Sequence, residues 1–276
     1  MNILWSCVIL VAAVAVAVAA MLLVRRRAPE GSYFADGDRA SGVFGMLATG
    51  FAIFAGFVIF LAFTSYDQSR SGSEAEALDV QQQFETAQFL PTNVSGRLSG
   101  ELICYGRAVV HREWPDMEKG ESGETINPWA PALFRTLKLA NPTTAPQQSA
   151  YDKWLDQTSD REEARRDRIH GAAGIIPTSI WLILYLTAGV LFVYMLFFAD
   201  SAELARSQAM LIASATAVVV VTLLAINALD NPYRRGVGNI RPVAMERSLR
   251  LIDKARAAVK LRTPIPCNAA GEPARS

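Results

Sequence analysis

The sequence predicts an all-α protein with four transmembrane helices and a helical soluble domain inserted between spans two and three. Two observations lead to this fold class. Four apolar runs of about 20 residues contain no charged side chain, and a long polar segment separates the second run from the third. The net charge is only +1, so we expect no strong attraction for nucleic acid.

The apolar runs occupy residues 3–24, 43–64, 175–198 and 209–229. A helix needs about 20 apolar residues to cross the hydrocarbon core of a bilayer. Because lipid offers the backbone no hydrogen-bond partners, runs of this length should be helical. A core helix of similar length in a soluble protein would normally carry a polar stripe, which these runs lack. We therefore interpret all four as membrane spans, with the lipid bilayer as a partner.

The first run raises the alternative of a cleaved signal peptide. Met1 and Asn2 supply no basic n-region, and the apolar stretch is longer than the roughly 7–15 residues of a signal-peptide core. The arginines follow the run instead of preceding it. We expect a retained span, with cleavage in its alanine-rich part as the alternative.

The spans divide the chain into four regions. Residues 1–65 hold spans one and two, 66–173 form a helical bundle, 174–229 hold spans three and four, and 230–276 form a basic tail. Within that tail, residues 242–260 have the pattern of a basic amphipathic helix. Such a helix lies on anionic lipid or packs on the bundle, and the sequence leaves both options open.

The bundle begins with a helix that continues span two out of the membrane. Gly72 is a weak point in this helix, and Pro91 ends it. Asn93 is the expected N-cap of a second helix. That helix is predicted to stop at Pro115, because the residue before a proline is biased away from the α region.

Two more helices complete the predicted bundle. The first is short and lies near residues 130–139, and the second covers about 147–170. The second helix ends in REEARRDR, an alternation of acids and bases that can pair at i,i+4 spacing. No strand pattern or internal repeat accompanies these helices.

The stretch HREWPDM concentrates residue types that carry chemistry. His111, Glu113 and Asp116 could form a metal or acid–base site. However, His111 and Glu113 are two positions apart and do not share a helix face. We expect a structural role, in which Trp114 packs under the bundle and Pro115 ends the helix. The sequence therefore predicts no catalytic residue, no metal site and no cofactor, and the protein is not expected to be an enzyme.

The three cysteines are Cys7, Cys104 and Cys267. One lies inside the first span, and the other two are far apart in sequence, without the spacing of a metal site. We expect unpaired thiols in a reducing compartment.

Two groups of basic residues favour opposite orientations of the protein in the membrane. With four spans, the termini and the long segment 66–173 share one side, and loops 25–42 and 199–208 share the other. The run from Arg25 to Arg27 favours a cytoplasmic short loop. More arginines and lysines flank spans three and four on the other side, so we expect a cytoplasmic long segment and tail.

The spans contain small and hydroxyl-bearing residues but no Asp, Glu, Lys, Arg or His, so the usual proton relay or ion-coupling site is missing. Small residues in membrane helices permit close packing of one helix against another. The alternative is a pore lined by weakly polar groups with apolar constrictions. If span two lines a pore, we expect Thr49, Phe54 and Phe57 to be lining or constricting residues.

Four stretches of the chain form a recognisable series: DRASGVFGMLATGFAIFAGFVIF, YDQSRSGSEAEAL, YGRAVVHREWPDM and LDNPYRRG. Together they resemble a family of bacterial membrane proteins with a bestrophin-like domain, a domain of unknown function. The EWP triplet and the LD-x-P-aromatic-x-x-G turn are the more specific parts. The residues that carry these two motifs, for which we expect structural roles, are Glu113, Trp114, Pro115, Asp230, Pro232 and Gly236.

The resemblance implies a function as well as a fold. Known bestrophins are oligomeric anion channels with four spans and a large cytosolic helical part. The first hypothesis is therefore a homo-oligomeric channel for small anions in the bacterial inner membrane. The second is a scaffold or sensor that binds a partner or anionic lipid through its helical domain and basic tail. It predicts an apolar patch or groove around Trp114, Trp129 and Trp154.

Overall fold

A computed structural model describes residues 3–121, 126–236, 238–259 and 263–273. Those residues form helices and loops, with no strand beyond one isolated bridge. The helices in chain order are α1 (Ile3–Arg25), α2 (Gly37–Ala87), α3 (Thr92–Ala108), a π-helical turn (Val109–Glu113), α4 (Trp114–Lys119), α5 (Trp129–Leu137), α6 (Ala145–His170), α7 (Thr178–Phe197), α8 (Ala205–Asp230) and α9 (Val243–Ala258).

Four of these helices, α1, α2, α7 and α8, are long and apolar enough to cross a membrane. They coincide with the four predicted runs, so the prediction of four apolar helices is confirmed. The chain forms two compact units. Unit 1 comprises Met1–Thr64, Ile175–Asp230 and Arg235–Gly238, and unit 2 comprises Ser65–Gly174, Asn231–Arg234 and Asn239–Ser276.

Unit 1 is built from the four apolar helices. Its core joins the first part of α2 to α7 and α8 through the buried side chains of Phe51, Ala55, Val58, Leu184, Leu191 and Ile226. The α2 members of this set recur at i, i+4 and i+7, the spacing of one helix face. α1 packs against α8 and α7.

The two short loops of unit 1 lie together. The Arg25 Nη2 group donates a hydrogen bond to the carbonyl oxygen of Ser201, with an N–O distance of 3.0 Å. The Tyr33 amide donates to the carbonyl oxygen of Phe197, with an N–O distance of 3.2 Å. Phe34 stacks on Tyr194, with 5.2 Å between ring centroids. This contact agrees with the expected connectivity, in which an even number of crossings brings both short loops to the same side.

Unit 2 is a helical bundle around α3. This helix is buried along most of its length, and its neighbours are the second half of α2, α5, α6 and α9. The largest fully buried apolar side chains include Trp154, Tyr105, Leu98, Leu102 and Ile103. An amphipathic helix would expose one face to water, so the near-complete burial of α3 makes it the centre of the unit.

Pro115 does not end its helix, which corrects the prediction. Trp114, the residue before the proline, keeps helical angles of φ −63° and ψ −47°. The preceding turn, Val109–Glu113, widens into a π-helix, and the chain stays helical to Lys119. Because proline has no N–H and its ring crowds the preceding turn, a wider turn accommodates it with less conflict. Gly120, with φ of 84°, is the actual end.

The ends of α2 and α3 differ in detail from the predicted ones. α2 ends at Ala87, and Pro91, not Asn93, is the N-cap residue of α3. The Asn93 side chain instead donates to the carbonyl of Leu139, 3.0 Å away. Gly72 does not weaken α2 visibly, because the helix runs through it without a break.

The tail helix α9 packs on the bundle. Met245, Ser248 and Ile252 on its inner face are buried, and Leu249 lies against Gly106 of α3. Of the two options for this helix, packing on the bundle is therefore the one that its buried apolar residues support.

The cysteine prediction was wrong. Cys104 of α3 and Cys267 of the tail form a disulfide with a Cα–Cα distance of 5.8 Å. The two residues are 163 positions apart, which is why spacing alone did not reveal the pair. Cys7 is the one free thiol in the described part of the chain.

Candidate functional site

The centre of unit 2 holds a buried ion cluster around Arg168. The Arg168 guanidinium donates to both carboxylate oxygens of Glu76, one of them over 3.2 Å. It also donates to Glu113 over 2.7 Å. Arg165 approaches the same Glu113 oxygen at 3.2 Å. Two guanidinium groups therefore face two carboxylates, and the cluster is formally neutral.

Neutral side chains complete the hydrogen bonds of the cluster. The Asn127 side-chain amide donates to Glu113 over 2.8 Å and to the carbonyl of Tyr105 over 3.2 Å. The Tyr105 hydroxyl donates to Glu76. The cluster thus links α2, α3, the π-turn, α6 and the segment before α5. Buried charges are tolerated when paired and hydrogen-bonded in this way.

The cluster shifts the pKa values of its members in the directions that keep Glu113 and Arg168 charged and Tyr105 neutral. Burial alone would raise the pKa of Glu113, but the guanidinium groups of Arg168 and Arg165 outweigh it and lower the pKa. Burial opposes the charge of Arg168, yet Glu76 and Glu113 raise its pKa further above an already high value. Burial raises the pKa of Tyr105, and the neighbouring Glu76 carboxylate adds to that effect.

Chemically, this cluster is suited to holding the bundle together. Glu76 and Arg168 have no exposed surface, and only 4% of Glu113 is exposed, so a substrate has no access to these three charged groups. His111 points to solvent on the π-turn, while Asp116 forms an ion pair with Lys119 at 3.3 Å. No group of three His, Cys, Asp or Glu side chains in the described ranges is arranged to hold a metal ion.

The motif residues Trp114 and Pro232 lie near this cluster. Trp114 makes an edge contact with Tyr233, 5.4 Å between centroids, and lies 5.7 Å from the Arg168 guanidinium. The hydroxyl of Tyr233 donates to the backbone carbonyl of Arg168. The Pro232 carbonyl accepts from the Ile240 amide over 2.8 Å, which closes the turn. Glu113 and Trp114 of the EWP triplet and Tyr233 of the following motif therefore belong to one structural centre of unit 2.

The other two residues of that turn have separate roles. Asp230 is buried at the end of α8 and accepts from the amides of Ile175 and Ile176 at 2.8 and 2.9 Å. The indole of Trp181 donates to its second oxygen at 3.3 Å. Asp230 thus fixes the entry to α7. Gly236 lies in the bend, but the positive φ of this segment, 77°, belongs to Gly238.

The three predicted pore residues lie on two faces of α2. Thr49 and Phe57 are exposed, the latter at 60%. Phe54 is half-buried and packs against the core of unit 1. Thr49 and Phe57 share the uncovered side of the helix with Ile53 and Phe60, which are 70% and 63% exposed. Their role in conduction remains a proposal.

Sequence reasoning missed the inward charges of α6. Arg161, Ala164 and Arg168 of REEARRDR are buried on one face, so two of its arginines point into the bundle. A signal was present in the sequence, because Trp154, Arg161 and Arg168 recur every seven residues. The alternating charges around them concealed that period. Glu76 was missed because its partner lies 92 positions away.

The fold matches solved structures of bacterial membrane proteins. One is a bacterial Bestrophin homolog from Klebsiella pneumoniae carrying a point substitution, with a TM-score of 0.62, 13% identity, and coverage of 88% of this chain and 98% of that chain. Another variant of that homolog has a TM-score of 0.62 and 13% identity, with coverage of 92% of this chain and 99% of that chain. A third structure, of a membrane protein with a single substitution, has a TM-score of 0.60 and 14% identity, covering 94% and 98%.

At these identities the structures establish the fold alone. No curated protein matches the sequence. The model of the Bestrophin-like domain matches residues 4–245, which is most of the chain. This is therefore a multi-pass membrane protein with four apolar helices, and it belongs to the Bestrophin-like domain family.

Proposed function

We propose that the protein is a homo-oligomeric channel for small anions in the bacterial inner membrane. The observation that carries the proposal is the uncovered face of α2 in unit 1. Family membership supports a channel-like role in general, and the resemblance to bestrophins points to anions. The proposal assigns transport and no catalysis.

The uncovered face combines small residues with aromatic rings. A Cβ added at Gly45, Gly50 or Gly56 would meet no atom within 4 Å, so these glycines pack against nothing in the single chain. Small residues in a membrane helix allow another helix to approach closely. Phe57 and Phe60 on the same side provide apolar rings, which form constrictions when several copies surround an axis.

The channel proposal is tested by halide flux into liposomes that contain the purified protein, against empty liposomes. Phe57→Ala should increase flux several-fold if Phe57 constricts a pore, because a smaller side chain widens an apolar gate. Leu186→Ala is the control, since Leu186 is 61% exposed on α7 and outside α2. A folded, inserted protein that is monomeric and gives no flux would contradict the proposal.

The scaffold alternative predicted an apolar patch or groove around Trp114, Trp129 and Trp154. The three indole side chains are themselves buried in unit 2, and Trp154 lines an open cavity there. The tail keeps some basic surface, since the Arg250 side chain is 63% exposed on α9. Contact of that surface with anionic lipid stays a proposal, which binding to vesicles with and without phosphatidylserine would test.

For the orientation we propose that residues 66–173 and the tail lie outside the cytoplasm, opposite to the expectation from counting the basic residues that flank spans three and four. The disulfide between Cys104 and Cys267 favours an oxidising compartment. The run from Arg25 to Arg27 lies in a short loop, where basic residues determine topology most strongly. A long segment crosses the membrane largely regardless of its charge, so its arginines carry less weight.

Labelling with a membrane-impermeant maleimide in spheroplasts tests this orientation. Two probes that each add one cysteine, Ser149→Cys in α6 and Ser201→Cys in the short loop, are made in a Cys7→Ser background that keeps the Cys104–Cys267 pair. Both positions are exposed. We expect Ser149→Cys to react in intact spheroplasts and Ser201→Cys only after permeabilisation. The reverse pattern would restore the cytoplasmic assignment.

A further inference from the structure

Unit 2 contains a cavity of about 440 Å³ between α3, α5 and α6. Its walls are mainly apolar and include Tyr105, Leu133, Phe134, Leu137 and Trp154. A volume of this size falls within the range of small-molecule sites, which combine apolar walls with few polar groups. Arg161 is the charged residue of that lining with the greatest burial, at 2% exposure.

Arg161 differs from Arg168 in what balances its charge. The Arg161 Nη1 group donates to the side-chain oxygen of Gln83 over 2.6 Å, and the guanidinium lies 4.8 Å from the ring centre of Tyr105. Its Nε–H has no hydrogen-bond partner among the described residues. Among the described residues, no carboxylate oxygen lies within 4.0 Å of the Arg161 guanidinium, whereas the Arg168 guanidinium has two carboxylate partners.

A buried guanidinium without a nearby anion is unfavourable, and a bound anion would relieve that cost. Guanidinium groups match carboxylates well, because their planar array of donors can bind both oxygens. The ordinary alternative is compensation by a residue of the chain. Asp79 interacts with Arg161 only at longer range, and Glu76 is already bound to Arg168.

The mouth of the cavity adds positive charge and apolar surface. Arg165 and Arg166 line it together with one carboxylate, Glu162. Arg165 forms an ion pair with Glu113, which leaves Arg166 and Glu162 as the exposed charged groups of the rim. Phe134 and Leu155 at the mouth are 52% and 41% exposed.

We propose that this cavity binds a small carboxylate with an apolar body. The carboxylate lies on Arg161, and the apolar body lies against Leu133 and Trp154. This inference is independent of ion conduction, because all lining residues belong to unit 2. A fully polar anion would leave the apolar walls unused, and a neutral alkane would leave the guanidinium unpaired.

The binding test is isothermal titration calorimetry on the full chain in nanodiscs, with empty nanodiscs subtracted. The probes are hexanoate, hexan-1-ol and hexylammonium, which share one chain and differ in the head group. We expect saturable hexanoate binding with one site per chain, and at least tenfold weaker binding of the other two. Equal binding of all three probes, or no hexanoate binding to folded protein, would overturn the proposal.

Three variants locate the site. Arg161→Met should reduce hexanoate affinity at least tenfold. Ala130→Trp, which fills the cavity from α5 and leaves Arg161 in place, should also abolish binding. Arg135→Gln is the control, because Arg135 is exposed on α5 and outside this lining, and its affinity should match the wild type.

If Arg161→Met does not fold, Ala130→Trp still tests the location of the site. Unchanged hexanoate affinity in folded Arg161→Met or in folded Ala130→Trp would show that the ligand binds elsewhere. A cavity that is already filled by a side chain of a neighbouring copy would give no hexanoate binding in the oligomer, and the proposal would then be wrong.

Discussion

Two arginines of one helix show how much the surroundings of a buried charge matter. Arg168 and Arg161 lie seven positions apart on α6, and both are almost fully buried. Arg168 holds two carboxylates, and its loss would leave Glu76 and Glu113 as unpaired buried charges. Breaking a buried ion pair on one side is among the most costly single substitutions.

The first prediction concerns Arg168→Met. We expect it to lower the free energy of unfolding by about 3–5 kcal/mol. Denaturant titration followed by tryptophan emission measures this, because Trp114, Trp129 and Trp154 are buried in unit 2. Arg166→Met is the matched control, since Arg166 is exposed two positions away and should change stability by less than about 0.5 kcal/mol. Similar stability for both variants would show that the cluster contributes little.

The second prediction concerns Asp79, which lies beyond the apolar run of α2. Burial, together with the Asp160 carboxylate, raises the pKa of Asp79 from 3.8 to about 6. The folded state thus retains a proton that the unfolded state loses near pH 4. Stability therefore falls as pH rises from about 4 to 6, and the whole penalty is present above pH 6.

Asp79→Asn removes this penalty. We expect it to stabilise the protein by about 1 kcal/mol at pH 7.5, after allowance for solvent screening of a half-exposed group. The gain should vanish below pH 4, where both states carry the proton. Melting temperatures of the two proteins across that pH range provide the measurement. A gain that is equal at pH 4 and pH 7.5 would assign the effect to something other than titration.

At the scale of single residues, the sequence indicated which kinds of residue matter better than it indicated which residues they contact. Trp114 was expected to pack under the bundle, and its side chain is buried in unit 2. Glu113 appeared beside His111 as a possible reactive group, yet its partner is Arg168, 55 positions later. Ion pairs between distant segments depend on the packing of helices, which local spacing does not encode.

At the scale of elements, α2 shows how a glycine allows two helices to meet. A Cβ built on Gly72 would lie 2.5 Å from the amide nitrogen of Arg168 and 2.8 Å from the carbonyl oxygen of Ala164. The backbones of α2 and α6 therefore approach closely at this point, beside the ion cluster. The glycine that sequence reasoning read as a weakness of the helix has a packing role.

The third prediction follows from this contact. Gly72→Ala improves intrinsic helix propensity by about 1 kcal/mol, but it forces α2 and α6 apart. Because overpacking costs about 1–3 kcal/mol, we expect a net loss of up to about 2 kcal/mol. Denaturant titration measures it, with the neighbouring exposed Ser71→Ala as the control. Stabilisation by Gly72→Ala would show that the helices separate without cost.

Helix existence was predictable, and helix ends were less so. The apolar runs predicted α1, α7 and α8 because length and composition suffice in a membrane. Pro115 illustrates the limit, since a proline rule predicts an end where a π-turn accommodates the ring. Burial of the surrounding turns in unit 2 supplies the packing that makes the irregular turn tolerable, and that packing is a tertiary property.

At the scale of the whole molecule, the disulfide joins the end of the chain to the centre of unit 2. Cys267 is bonded to Cys104 of α3, and the nearby Trp129 indole donates to the carbonyl of Gly271 over 2.7 Å. Gly271 fits against α3 so closely that an added Cβ would lie 2.4 Å from the amide nitrogen of Ala108. The tail is therefore part of the bundle, although its sequence carries little sign of this.

The last prediction links this bond to the compartment. If unit 2 lies outside the cytoplasm, the bond should form in normal cells and be missing in a strain that lacks the periplasmic thiol oxidase. Samples are acid-quenched, denatured and alkylated with a polyethylene glycol maleimide that adds mass for each thiol. We expect one addition, at Cys7, in normal cells and three additions in the oxidase-deficient strain or after reduction. Cys267→Ser should lower the free energy of unfolding by about 2–4 kcal/mol, since the bond closes a long loop. Three additions in normal cells without reductant would place unit 2 in a reducing compartment, and the orientation argued from the arginines after α1 would then fail with it.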